Sequence, residues 1–272
     1  MTTLSIVIVN YNAQRHLENC LHSLTSSPPA TAHEIVVVDN ASTDGSVQMV
    51  RARWPAIALL EQPANVGFAA GNNIGIRASR GALILLLNND TLVPAGAIDA
   101  LAGALLAQPD VAIAGPRLVD ENGCAELSFG PMMSPVNELR QKWVMKLHGR
   151  GVARVTRWVD RATRQDRYVD WVSGACLLVR RGDAERVGLL DERYFLYAED
   201  VDFCAAIRAQ GRRVLFTPVA QVVHLRGRSR STVPGAMQME YRRSHLAFYD
   251  KHHPRWAPFL RLYLRLKGEL PR

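Results

Sequence analysis

Residues 82–90 read ALILLLNND. Six apolar residues closed at once by Asn88-Asn89-Asp90 describe a strand buried on both faces. A half-exposed strand would alternate, and a helix would need a longer run. Working outward, 4–10 (LSIVIVN) has the same form and ends in Asn10-Tyr11-Asn12, while 34–39 (EIVVVD) ends in Asp39-Asn40. A weaker strand is predicted at 57–61 and a fifth at 111–116. Helices are predicted between them at 17–25, 45–53, 69–79 and 95–108, with Ser42, Thr43 and Asp44 as candidate N-caps of the second. Buried strands separated by helices specify an α/β fold whose mainly parallel central sheet is covered by helices on both faces.

The second half is less regular. From 126 to 168, Pro131, Pro135 and scattered basic residues break any period, and a mobile insertion is expected there. Order returns at 168–180, a strand interrupted by Ser173-Gly174. A helix is predicted at 200–210, closed by Gly211, then short strands at 213–217 and 220–224, then C-terminal helices at 240–251 and 258–267.

Composition bounds the class. Apolar residues make up 48% of the chain and charged residues 21%, a globular balance. No run approaches the ~20 apolar residues of a membrane span, and the apolar 4–9 run is too short, and lacks the basic flank, for a secretory signal. A cytoplasmic protein is expected. Cys20, Cys124, Cys176 and Cys204 form no C-x-x-C pair and suit reduced, mostly buried thiols. The net charge of +8 is uneven: residues 205–272 hold 14 Lys and Arg against three acids. A basic C-terminal quarter implies an anionic partner such as a phosphate or a membrane surface.

Ligands of parallel sheets gather at the carboxyl ends of strands. Three strands here end in Asn and Asp, which suggests one polar site and not three ordinary turns. A nicotinamide fold is disfavoured because Asn10-Tyr11-Asn12-Ala13 stands where that fold has its glycines. Asp90, at the mouth of a buried strand, suits Mg2+ or Mn2+ as well as it suits a turn. Glu199, Asp200 and Asp202 cluster at a helix start, where acids are favoured electrostatically and where a general base can also sit. His224 ends the last strand beside Arg226, Arg228, Ser229 and Arg230, groups that suit a diphosphate.

Six segments in order, SIVIVNYN (5–12), EIVVVDNASTDGS (34–46), NVGFAAGNNIGI (65–76), ALILLLNNDT (82–91), WVSGACLLVRR (171–181) and FLYAEDVDFCAAIRAQG (195–211), resemble glycosyltransferase family 2, the inverting enzymes of GT-A fold, in its rhamnosyltransferase-like branch. The resemblance covers about 4–230. It implies a catalytic domain over 1–230, with a nucleotide half to about 116 and an acceptor half over 117–230, followed by a basic helical extension over 231–272. It implies that Asn10, Asn12, Asp39 and Asn40 line the base and ribose pocket, with Asn65, Gly71 and Asn89 on the same nucleotide side and Arg228 and Ser229 near the phosphates. Asp90 and His224 match the metal ligands, Asp200 the catalytic base with Glu199 beside it, and Trp171 and Gly174 the acceptor side. Asn88 departs from the family's D-x-D motif, and HLRGRSRS is richer in arginine than the usual form.

The implied donor is a nucleoside-diphosphate sugar carrying dTDP or UDP, with dTDP-rhamnose as the branch suggests. The implied acceptor is a saccharide or a lipid-linked saccharide in cell-surface polysaccharide synthesis. A sugar nucleotidyltransferase is the alternative, disfavoured because no Gly-rich basic loop follows the first strand. A non-catalytic nucleotide-sugar or membrane-binding protein is a second, and nucleic acid ranks last because no such motif is present. In 255–267, Trp256, Phe259, Leu260, Leu262, Tyr263 and Leu266 share one helical face, with Arg261 and Arg265 opposite. That face suits an anionic membrane on the inner side of the cell or packing on the domain, and the alternation of Leu260, Leu262, Leu264 and Leu266 leaves a strand open.

Overall fold

A computed structural model describes residues 3–225 and 234–271. The first half follows the expected alternation: β1 (Leu4–Asn10), α1 (Gln14–Ser26), β2 (His33–Asp39), α2 (Ser46–Arg53), β3 (Ala58–Glu61), α3 (Phe68–Ala78), β4 (Leu83–Asn88), β5 (Thr91–Leu92), α4 (Ala97–Leu106) and β6 (Val111–Val119). The chain continues through β7 (Phe129–Gly130), α5 (Pro135–Gly149), α6 (Ala153–Ala162), β8 (Arg167–Val169), β9 (Trp171–Val172), β10 (Cys176–Arg180), α7 (Arg181–Arg186), α8 (Glu199–Ala209), β11 (Arg213–His224), α9 (Pro234–His252) and α10 (Ala257–Leu266).

Among the described residues the main sheet runs β3-β2-β1-β4-β10-β6-β11-β5, with β8 also on β11. Strands β3, β2, β1 and β4 are mutually parallel, in a register that sets Asn10 opposite Asp39 and Val9 opposite Asn88. The polar strand ends therefore lie along one edge. Strand β10 enters antiparallel between β4 and β6, so the second half of the sheet is mixed.

Side chains of β1 and β4 alternate between faces, as the two-residue strand period requires. Ile6, Ile8 and Leu85 pack with Leu21 of α1 and Leu101 of α4, while Val7, Ile84 and Leu86 pack with Ile76 of α3 and Phe203 of α8. Both faces are thus helix-covered, which explains the unbroken apolar runs. All four cysteines are free, and Cys124 alone of them is exposed.

Two readings need correction. The stretch 126–168, expected to be irregular, contains α5 and α6. The oxygen of Ser134 accepts from Asn137 N–H and Pro135 opens α5, a regular helix start. Its period was illegible because Val136, Leu139 and Trp143 are exposed, so no single apolar stripe faces the core. The two short strands predicted over 213–224 are one strand, β11, with an irregularity between Thr217 and Gln221 where it pairs with β6. Segment 255–267 is helical, which closes the strand alternative. Helix α10 packs through Ala257 and Leu260 against a cluster containing Phe248 and Tyr249, buries Leu264, and leaves Trp256, Phe259, Leu262, Tyr263 and Leu266 exposed.

Candidate active site

The ends of β1, β2 and β4 are joined by side chains. Asn10 Nδ2 donates to Asp39 Oδ2 (3.0 Å) and to Ser42 Oγ (3.2 Å), and Asn10 Oδ1 accepts from Asn89 Nδ2 (2.8 Å). Asp39 Oδ1 in turn accepts the backbone N–H of Ser42. Asn10 and Asp39 are both buried, so these bonds satisfy polar groups that burial would otherwise penalise. Asn12 is exposed, adopts a left-handed backbone (φ 47°) and accepts from Thr43 N–H through Oδ1. Asn40 Nδ2 donates to the Gly67 carbonyl, and Asn65 Oδ1 accepts from Gly67 N–H. Gly67 itself has φ 87°, and a Cβ there would lie 2.6 Å from the Phe195 carbonyl oxygen, so only glycine fits.

These ends open into a cavity of about 700 Å³, within the range that holds nucleotide-sized ligands. Its lining includes Tyr11, Asn40, Asn65 and Phe68, the strand-end residues Asn88, Asn89 and Asp90 with Glu126 and His224, and Ser128, Trp171, Ser173 and Tyr197. Gln141 and Met145 of α5 complete the wall. Trp171 Nε1 donates to the Pro131 carbonyl, which fixes the indole.

The cavity brings together residues distant in sequence. Antiparallel pairing sets His224 of β11 opposite Thr91 of β5, and Leu225 N–H donates to the Asp90 carbonyl. His224 Nε2 then lies 3.3 Å from Asp90 Oδ1, and Nδ1 lies 3.2 Å from Glu126 Oε2. Burial alone would lower the imidazole pKa. Hydrogen bonds to Asp90 and Glu126, with their charges, outweigh it and raise the value to about 9 in the absence of a cation. Carboxylate oxygen beside imidazole, both lining a ligand-sized cavity, fits Mg2+ or Mn2+ completed by phosphate oxygens and water. Among the described residues no three acidic, His or Cys side chains are arranged to hold an ion alone.

The acids of α8 diverge. Tyr197 (φ 72°) and Ala198 (φ 69°), two consecutive left-handed residues, turn the chain into the helix. Asp200 Oδ2 accepts Gly174 N–H (2.8 Å) and Oδ1 accepts its neighbour's N–H. A Cβ on Gly174 would come within 3.2 Å of the Asp200 Cβ, so glycine admits the carboxylate to this position. Asp200 is thus one residue removed from the wall residue Ser173. Burial raises its pKa against those two backbone donors, and burial plus the Asp200 charge raises Glu199 much further. Asp202 faces away, toward α9, where it accepts from Tyr194, Lys251 and His252.

Of the residues singled out from sequence, Asn40, Asn65, Asn89, Asp90, Trp171 and His224 lie on the cavity wall. Asn10, held by Asp39, supports the wall residue Asn89, and the half-buried Asp200 is bonded to Gly174 beside the wall residue Ser173; Asn12 and Glu199 do not line the cavity. Gly71 is not on the wall: it lets α3 approach β1, since a Cβ would be 3.0 Å from Val9 Cγ1. Arg228 and Ser229 lie outside the described residues. Sequence reading missed Tyr11, whose exposed ring directly after a buried strand was a usable signal, and Glu126, Ser128, Gln141 and Met145, which fall in the stretch without period.

Comparison with known proteins gives this site its context. Residues 5–147 match the family described as Glycosyl transferase family 2. An N-acetylglucosaminyl-diphospho-decaprenol L-rhamnosyltransferase of Mycobacterium tuberculosis is 30% identical over 275 aligned residues, covering 96% of this chain and 89% of the relative. A low-salt glycan biosynthesis hexosyltransferase of Haloferax volcanii is 27% identical over 81% of this chain and 66% of its own length. A Pyrobaculum calidifontis mannosyltransferase solved with GDP-Man and Mn2+ superposes with TM-score 0.61 at 22% identity, over 94% of this chain and 67% of that one. GalNAc-T7 solved with UDP, GalNAc and Mn2+ gives TM-score 0.61 at 17% identity, over 82% of this chain and 44% of that one. The solved structures establish the GT-A fold, and the family match with the mycobacterial relative places the sequence: this chain belongs to glycosyl transferase family 2 and is a glycosyltransferase.

Proposed function

We propose that this enzyme moves a sugar, with inversion, from a nucleoside diphosphate to a hydroxyl of a lipid-linked saccharide in cell-surface polysaccharide synthesis. dTDP-rhamnose is the first donor to test, because the mycobacterial relative is named as a rhamnosyltransferase acting on a diphospho-decaprenol acceptor. The observation that carries the reading is the shared cavity, lined by Asp90 and His224, by Asn40 and Asn65 and by Trp171, with Asp200 bonded to Gly174 beside the wall residue Ser173.

Asp90 and His224 would hold Mg2+ or Mn2+, which would supply positive charge to the departing diphosphate. The nucleoside would lie toward Tyr11, Asn40 and Asn65. Asp200 takes the proton from the acceptor hydroxyl. That oxygen bonds to the anomeric carbon, and the sugar–phosphate bond breaks with its electron pair leaving on the diphosphate. The roles of the two adjacent acids follow from their environments. Burial and the neighbouring Asp200 charge push Glu199 furthest toward its protonated form, while two backbone N–H groups favour ionised Asp200.

Asp200→Asn should cut transfer by about 10²–10⁴-fold, the usual worth of a general base, with donor affinity unchanged. Full activity in that variant sinks the assignment. Asp90→Ala should weaken donor binding and turnover together, and survival of activity through thorough chelation would remove the metal from the account. No helix among the described residues is long and apolar enough to cross a membrane. The exposed apolar face of α10 and its flanks, where Trp256, Phe259, Leu262, Tyr263 and Leu266 lie among Arg255, Arg261, Arg265 and Lys267, is the surface we propose for reaching a lipid-linked acceptor.

A further inference from the structure

Glu126 belongs to no sequence motif, yet the fold delivers it to His224 by a chain of backbone constraints. Val119, the last residue of β6, is in register with Val223 of β11. The chain then reverses in a tight turn. Asp120 N–H donates to the Cys124 carbonyl, and Asp120 Oδ1 accepts from the N–H groups of Asn122 and Cys124. An antiparallel bridge between Val119 and Ala125 closes the turn, and Glu126 N–H donates back to the Leu118 carbonyl. Val119 lies beside Val223 and Ala125 beside Val119, so Glu126 arrives next to His224. Its side chain is 8% exposed, against 15% for His224 and for Asp90.

We propose that Glu126 is a positioning residue for the metal-binding imidazole: its carboxylate accepts the Nδ1–H of His224 and so turns the Nε2 lone pair toward Asp90. The proposal rests on the reading of Asp90 and His224 as the cation's ligands. The two ring nitrogens face different carboxylates, 3.3 Å and 3.2 Å away. When Nε2 gives its lone pair to a cation beside Asp90, the ring proton must sit on Nδ1, and Glu126 Oε2 is the acceptor placed for it. A carboxylate there fixes ring orientation and tautomer and makes Nε2 more basic. Glu126 enters as the imidazole's partner and not as a third ligand, since no three such side chains surround one ion position among the described residues.

The test is Mn2+ titration of the full chain, followed by electron paramagnetic resonance, for wild type, Glu126→Gln, Glu126→Leu and Asp90→Ala, each checked for folding by thermal melting. A glutamine oxygen can still accept Nδ1–H and leucine cannot. Glu126→Leu should weaken Mn2+ binding by about 10–100-fold, the usual effect of losing such a partner, while Glu126→Gln should lose far less. In the Mg2+ complex, nitrogen-15 spectra should show His224 protonated at Nδ1. Wild-type affinity in Glu126→Leu, with affinity lost in Asp90→Ala, would overturn this inference alone. Equal losses in Gln and Leu variants would make Glu126 a direct ligand and overturn the positioning role. Wild-type affinity in all three variants would overturn the metal reading and this inference with it.

Discussion

Asp202→Asn separates structure from chemistry among the three acids at the start of α8. Asp202 is two residues from Asp200, a rotation of about 200° on a helix, so the two carboxylates cannot serve the same side. The Asp202 side chain is 3% exposed and accepts from Lys251 Nζ (2.9 Å), His252 Nε2 (2.6 Å) and Tyr194 Oη (3.2 Å). Burial opposes its charge, but the His252 and Lys251 hydrogen bonds prevail and hold its pKa below the ordinary carboxylate value. An asparagine removes the charge and turns an N–H group toward donors. Hydrogen bonds to charged groups are worth about 1.5–3 kcal/mol each. Lys251 and His252 are partly exposed and can regain water, so the net loss should be near 2 kcal/mol. For a chain of this size that is roughly 4–8 °C in Tm. The assay is thermal and urea unfolding at pH 7 beside transfer activity measured well below Tm. A carboxylate with a depressed pKa stabilises above its unfolded pKa and loses that contribution as pH falls through the folded one, so the gap between variant and wild type should close below about pH 4. The reasoning is refuted if Asp202→Asn melts like wild type while transfer is abolished.

Three further outcomes follow from the same geometry. Gly75→Ala should cost about 1–3 kcal/mol by overpacking. The new Cβ would lie 2.4 Å from Val7 Cγ1 on a central strand, and the roughly 1 kcal/mol gained in helix propensity cannot offset that; urea unfolding reads it directly. With chelator present, His224 has its pKa raised from 6.5 to about 9, so its stabilising contribution is whole below about pH 6.5 and is lost as pH rises through 9. Unfolding curves between those values should show a decline of about 2–3 kcal/mol that His224→Gln lacks. Leu262→Asp with Leu266→Asp changes two exposed residues of α10 and should leave Tm nearly unchanged while abolishing co-sedimentation with anionic vesicles; equal sedimentation of the double variant and wild type would remove α10 as the attachment surface.

The first half of the chain was legible because its strands are buried on both faces. LSIVIVN, EIVVVD and LILLLN can hardly be anything else, and a parallel register puts their polar ends together. Asp90 and His224 were found as motif residues, but nothing local in the sequence says that β11 returns to pair with β5. The antiparallel entry of β10 was equally hidden, since its four buried residues read alike in either direction. Helix α5 escaped because its apolar residues divide between a cavity wall, Met145, and an exposed face, Leu139 and Trp143. Glu126 escaped because a turn of backbone hydrogen bonds, not a spacing, sets its place.

The reaction proposed for this enzyme is transfer of a sugar, with inversion, from a nucleoside diphosphate. Its most direct test incubates the purified chain with Mn2+, a lipid-linked saccharide and a panel of nucleoside-diphosphate sugars headed by dTDP-rhamnose, and follows both the released nucleotide and the anomeric configuration of the product. The account predicts one nucleoside diphosphate released per sugar transferred, dependence on the acceptor, an inverted linkage, and loss of all three in Asp200→Asn. Release of pyrophosphate, or a product of retained configuration, would contradict it.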